Sequence, residues 1–200
     1  TISDQYIWAD FLQIAALFSK KNLVLKDEIY ENINNQFLRK NDKKPLLEIL
    51  KNEYPQYEVK QELYHQLKDE FDKVKQKYAE FWELMSDKDI RSLSTINNLT
   101  IGSHGFLHNN LGRIKIENAK EEISDSKSYL ESVIQKEVNE IAYPDGSYSK
   151  EVIDYSNNIG FKCQLAADGF LFKEDNENNL LRDRFGIYQC ASWGNQLLLS

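Results

Sequence analysis

The sequence predicts an α/β fold: an irregular or partial (β/α) barrel, carrying a helical insertion. Three observations predict it. From about Asn97, short β-branched or apolar runs alternate with amphipathic helical stretches, an order that implies a parallel sheet or part of a barrel. Residues 1–95 instead carry apolar side chains at helical spacing and little catalytic punctuation. Finally, 200 residues, 41% hydrophobic and 28% charged, suit one domain or one domain with an insertion and can bury a substantial core.

Taken in order, Tyr6 to Phe18 places Ile7, Phe11, Ile14, Leu17 and Phe18 on one helical stripe. Leu23-Val24-Leu25 reads as a short strand. Lys44-Pro45 opens a second helix, proline being tolerated in a first turn. The strongest helical pattern runs from about Gln61 to Met85. There Tyr64, Leu67, Phe71, Val74, Tyr78, Phe81 and Met85 recur at steps of three and four, a seam read as an internal packing face. Ser86 and Asp89 form a capping-box pattern for a short helix ending near Leu93.

In the second part, Leu99 to Gly102 is a candidate strand. Glu117 to Ile134 follows as a helix with Ile123, Tyr129, Leu130, Val133 and Ile134 inward. Val138 to Tyr143 is a second strand, and Ser149 caps a helix to Asn157. Gly160 suits a helix C-terminus, and Phe161 to Ala166 is a third strand. Two more short strands are expected near Leu171 and at Gly186 to Tyr188, with a polar loop over Lys173 to Asn179.

Composition excludes several function classes. A net charge of −7 argues against a nucleic-acid partner, which would select a basic face. No apolar run approaches the ~20 residues of a membrane span, and no signal-peptide pattern opens the chain. Cys163 and Cys190 are too few and too far apart for a zinc ribbon and are read as buried free thiols. Neither a compartment nor an oligomeric state is assigned by any motif.

Chemistry concentrates in Thr100-Ile101-Gly102-Ser103-His104-Gly105-Phe106-Leu107-His108-Asn109-Asn110-Leu111. Two of the three histidines stand four apart there, a spacing that puts both imidazoles on one face of a helical turn, able to meet on one metal ion. Such pairs also arise by chance, and His65, in a charged helix with no second ligand near it, is read as having no role. The flanks distinguish the pair. Ile-Gly-Ser-His followed by His-Asn-Asn-Leu resembles the second motif of the polysaccharide deacetylases, carbohydrate esterase family four. The resemblance implies that His104 and His108 bind a catalytic divalent metal, zinc by preference, and that the substrate is an acetylated sugar or polysaccharide.

A second motif follows one strand–helix unit later. Ile141-Ala142-Tyr143-Pro144-Asp145-Gly146-Ser147-Tyr148, then Ile159-Gly160-Phe161, resembles the family's third motif, an aromatic-Pro-x-Gly turn ahead of a helix and a Gly-aromatic strand start. The resemblance implies that Tyr143, Pro144, Gly146 and Tyr148 line the substrate groove. It also implies that the N–H of Asp145 serves the oxyanion, a contribution typically worth ~3–4 kcal/mol. Leu181 to Ile187 is similar to a Leu-x-Arg strand of the subgroup with Tyr-Pro turns. Together the likeness covers about residues 80 to 188.

Several departures carry expectations of their own. The family's Thr-Phe-Asp-Asp-Gly strand end has no counterpart, because Asp4, Asp10, Asp27 and Asp42 lack both the apolar strand before and the glycine after. The chain therefore reads as beginning downstream of that motif, with the deacetylase-like core over 96–200 short of its N-terminal part and weakly active or inactive. Gly105 replaces a Ser or Thr that would brace the loop, and Ala142 replaces an arginine whose role falls to Arg184. The last motif, a Leu-x-x-His strand, is absent. The expected function is metal-dependent removal of N- or O-acetyl groups. Its rivals are a catalytically inactive domain that binds glycan or protein, and a helical interaction protein with incidental histidines.

Overall fold

The computed structural model describes residues 7–79, 83–167 and 178–184. The chain divides into two compact units. One comprises residues 1–95 with 106–109, the other 96–105 with 110–200.

In the first unit, helix α1 (Trp8–Phe18) is followed by strands β1 (Leu23–Leu25), β2 (Glu28–Ile33) and β3 (Gln36–Arg39). These form an antiparallel sheet in the order β1-β2-β3. Only β1 is legible from residue types. The two hairpins are not expected from the strand residues, and their signal lies in the turns. Leu25 pairs with Glu28 and Ile33 with Gln36, so each connection is two residues long. Both residues of each turn have positive φ, Lys26 and Asp27 in one and Asn34 and Asn35 in the other. That geometry follows the right-handed twist of paired strands and favours Asn and Asp.

Helix α2 (Leu46–Asn52) begins after Pro45, and α3 (Tyr57–Val74) packs on α1, Phe11 lying 5.0 Å from Tyr64 and 4.8 Å from Phe71 between ring centroids. The expected seam holds at Tyr64, Leu67 and Phe71, all buried. It does not reach Met85, which is 58% exposed, because α3 gives way to a 3-10 turn at Lys75–Tyr78. Phe81 lies outside the described residues. In α1 the buried residues are Trp8, Phe11, Leu12, Ile14, Ala15 and Ala16, so Phe11 and Ile14 of the expected stripe hold while Leu17 is exposed. The observed face keeps the helical period but is rotated toward Trp8, Leu12 and Ala15. Helix α4 (Asp87–Leu93) has the capping box expected of Ser86 and Asp89.

The second unit is built on helix α5 (Ile116–Ile134), strand β4 (Glu140–Ala142), helix α6 (Lys150–Asn158), strand β5 (Cys163–Leu165) and strand β6 (Leu181–Arg182). The strands lie side by side in the order β4-β5-β6, all parallel. Among the described residues this sheet is open and closes no barrel. The expected strand at Leu99–Gly102 is absent. A single parallel bridge, Ser103 to Ile141, stands two residues later, and Leu99 is 39% exposed. Tyr129 is exposed rather than inward, since α5 turns Ala119, Ile123 and Val133 to the core. Lys127 and Glu131 of α5 tie the sheet's entry, Lys127 bonding the Val138 carbonyl while Glu131 accepts from the Val138 N–H at 3.0 Å. Cys163 is a free, half-buried thiol, and Cys190, Leu171 and the Gly186–Tyr188 stretch lie outside the described residues.

Candidate functional site

The carboxyl ends of parallel strands are where open α/β sheets build sites, and the conspicuous residues of the second unit gather at the end of β4. Ser103 enters the sheet edge there, its N–H donating to the Glu140 carbonyl at 2.8 Å and its carbonyl accepting from Ala142 at 2.8 Å. The next residue, His104, is thereby placed beside Ala142. Its Nδ1–H donates to the Ala142 carbonyl at 2.6 Å. A carbonyl can only accept, so the neutral ring carries its proton on Nδ1 and its lone pair on Nε2. Ligating histidines are held in this way by a partner behind the ring. The donor chemistry of His104 thus fits a metal ligand.

The stretch after Ser103 is a bent loop, not the helical turn expected from the spacing. Gly105 and His108 both have positive φ, at 77° and 56°. His104 belongs to the second unit, whereas Phe106–Asn109 belongs to the first. Among the described residues no group of three or more His, Cys, Asp or Glu side chains is gathered that could hold an ion. Asp10 lies in α1 and Asp27 in a hairpin turn. Asp42 is committed to Arg39, whose guanidinium at 2.6 Å holds its carboxyl down at about 2.

The loop's missing hydroxyl has a substitute that sequence reasoning passed over. Buried Ser103 Oγ lies 2.7 Å from Ser126 Oγ on α5 and accepts the Gly105 N–H at 3.3 Å. Position 105 needs glycine because its φ lies in the left-handed region, where a side chain crowds the following carbonyl.

The Tyr-Pro turn follows β4 directly. Pro144–Gly146 is one 3-10 turn, with Asp145 at φ 51° and exposed, closed by Gly146 N–H to Tyr143 carbonyl at 3.0 Å and Ser147 N–H to Pro144 carbonyl at 2.9 Å. Tyr143 is fully buried, its ring centroid 5.5 Å from that of Tyr148, itself buried. Its hydroxyl donates to Gln164 Oε1 and lies 3.2 Å from Ser156 Oγ. Burial pushes this phenol well above its ordinary range, against the opposing bond from Ser156. Tyr143 is therefore a neutral brace beneath the turn. Gln164 and Ser156, both fully buried, complete this network, and sequence reasoning missed them because isolated Gln and Ser have no spacing signal.

Arg184 reaches the same place, its Nη2 donating to the Tyr143 carbonyl at 3.3 Å. Its charge and that of Asp145 both act on His104. The structure therefore brings together His104, Tyr143, Asp145 and Arg184 within one unit.

Burial, the largest cause, lowers the His104 pKa below its ordinary 6.5; the Ala142 bond opposes it, Arg184 assists and Asp145 opposes. The unfolded chain then binds this proton more readily. Stability attributable to His104 should rise with pH between the depressed folded value and 6.5, and level off above. An NMR titration of the metal-free chain checks this, and a His104 midpoint at or above 6.5 would contradict it.

A family model described as polysaccharide deacetylase matches residues 59–164, just over half of the 200 residues. The match ends before Leu181–Ile187 and begins earlier than the likeness read from the motifs. Among solved structures, the deacetylase PplD of Streptococcus pyogenes, in complex with acetate, is 20% identical with a TM-score of 0.50 over 58% of this chain and 51% of that one. A polysaccharide deacetylase from Bacillus cereus is 23% identical, TM-score 0.48, over 58% and 36% of the two chains. A de-N-acetylase from Aggregatibacter actinomycetemcomitans is 14% identical, TM-score 0.48, over 59% and 54%. The chain thus spans about half the length of PplD, and the likeness to PplD is one of fold. No curated protein matches significantly.

Proposed function

Because the chain belongs to the polysaccharide deacetylase family, we propose that it serves the metal-dependent hydrolysis of N- or O-acetyl groups on a sugar or polysaccharide, within an irregular barrel to which residues 1–95 are a helical insertion. The observation that carries this reading is the His104 Nδ1–H bond to the Ala142 carbonyl, which leaves the lone pair on Nε2, the ring nitrogen not engaged by that carbonyl.

The family is generally metal-dependent. His104 and His108 are assigned as imidazole ligands, His108 on the strength of its motif. Zinc suits such donors, and when bound it supplies an activated water near neutral pH and polarises the acetyl carbonyl. The chain's own residues do the rest. Burial keeps His104 neutral, the form that can ligate. Pro144 and Gly146 fix the turn, with Tyr143 and Tyr148 as its buried floor, so that the N–H of Asp145 can donate to the oxyanion. Arg184 holds the Tyr143 carbonyl and adds positive charge beside the turn.

The test combines zinc titration by calorimetry with acetate release from acetylated chito-oligosaccharides. His104→Ala is expected to weaken zinc binding by at least tenfold and to abolish release. Zinc affinity and acetate release both unmoved by that change would overturn the reading. Zinc binding without any release would instead favour the inactive, glycan- or protein-binding alternative.

A further inference from the structure

His108 and its neighbours are held by the first unit, to which Phe106–Asn109 belongs. His108 has φ 56°, a left-handed conformation in which its Cβ crowds a carbonyl oxygen. A non-glycine residue keeps such a conformation when its surroundings over-determine it. Two residues of the helical segment do so. The Trp8 indole Nε1–H donates to the His108 carbonyl at 3.1 Å. The Lys60 ammonium donates to Asn109 Oδ1 and, at 3.1 Å, to the Pro55 carbonyl. The two are also linked, Lys60 Nζ standing 4.5 Å from the centre of the Trp8 ring.

Burial makes the arrangement informative. Lys60 and Trp8 are each only 2% exposed, and Asn109 is 3% exposed. An ammonium withdrawn from water is costly unless its donors are satisfied, and an apolar side chain of similar volume would fill the space without that cost. The sequence nevertheless places a lysine here, aimed at the residue after His108. Neither the Trp8 bond nor the Lys60 bond uses the imidazole, so the clamp fixes the backbone while leaving the ring's nitrogens out of it.

We propose that Trp8 and Lys60 are positioning residues for His108: they lock the backbone of residues 108 and 109 so that the imidazole is presented in one orientation for a divalent cation. This rests on the reading of His108 as a ligand.

The experiment uses the full 200-residue chain with zinc as the probe. Trp8→Phe removes the indole donor but keeps a ring under Lys60, and Lys60→Met removes the charge but keeps the stem. Each should weaken zinc binding by about tenfold, the lower end expected for loss of a residue that orients a ligand. In the metal-free chain each should shift the His108 carbonyl carbon and imidazole resonances while leaving those of His104 in place. Added to His108→Ala, Trp8→Phe should weaken zinc no further, because it acts only through His108. If Trp8→Phe fails to fold, Lys60→Met decides. Unchanged zinc affinity with unchanged His108 resonances overturns the proposal, as does a full additional loss in the double variant. A His108→Ala chain that binds zinc normally overturns the ligand reading and this inference with it. That outcome is distinguishable, because in chains that keep His108, Trp8→Phe and Lys60→Met would still shift its resonances.

Discussion

Replacing Gly112 by alanine should destabilise the second unit by about 3 kcal/mol, the upper end of overpacking costs in a close-packed interior. A Cβ built at Gly112 would lie 2.4 Å from the carbonyl oxygen of Tyr148, 2.5 Å from its carbonyl carbon and 2.8 Å from its nitrogen. All three are backbone atoms, so no rotamer change can relieve the clash. The same close approach carries the bond from Gly112 N–H to the Ser147 carbonyl at 3.3 Å. The damage should therefore appear in the Tyr-Pro turn as well as in the melting curve. Denaturant unfolding and amide exchange at Ile141 and Gln164 provide the readout. A variant with the wild-type midpoint and unchanged exchange would show that the chain does not pass this close to Tyr148.

Phe71→Ala should destabilise the first unit by about 3–5 kcal/mol, the range for deleting a buried ring and leaving its cavity. Phe71 is fully buried and its ring meets that of Phe11 at 4.8 Å, where α3 crosses α1. That crossing also seats Trp8, so a cavity there should loosen the clamp on His108 in addition to lowering stability. Exchange of the Tyr30 and Leu63 amides would rise in parallel with a lower unfolding midpoint. Met85→Ala serves as the contrast. Met85 belongs to the same seven-residue pattern in the sequence, yet it is 58% exposed, and its loss should change stability by no more than about 0.5 kcal/mol. Equal effects at the two positions would mean that the seam continues beyond the described end of α3.

What was legible in the sequence was legible through local rules. The Ser86–Asp89 capping box and the Ser149 N-cap are hydrogen bonds within one turn, the second accepting from the Val152 N–H at 3.3 Å. Local spacing and one cap suffice to state them. The Tyr143-Pro144-Asp145-Gly146 turn was equally readable, because Pro, Asp and Gly in that order are turn residues by their own backbone preferences, and Gly146 takes φ 63° there. The hairpins at residues 26–27 and 34–35 were not expected: Asp27, Asn34 and Asn35 are a turn signal, but weak alternation in the strands between them hid the pattern.

Other features depend on partners distant in sequence. No spacing rule links Trp8 to the carbonyl of His108, one hundred residues away, or Lys60 to Asn109. The tautomer of His104 is set by Ala142, 38 residues further along the chain. Gln164 and Ser156 are ordinary until Tyr143 is buried against them.

The sequence by itself therefore determined the family and the two motifs, because residue type and order carry them without reference to the rest of the chain. It also determined most helix ends, whose bonds close within a few residues. Only the tertiary structure decided that the histidine motif is a bent loop, that one of its imidazoles is oriented by the end of β4, and that the backbone of the other is gripped by α1 and α3. Those outcomes depend on which buried polar groups find partners across the fold, and burial is a property of the packed chain that no local window contains.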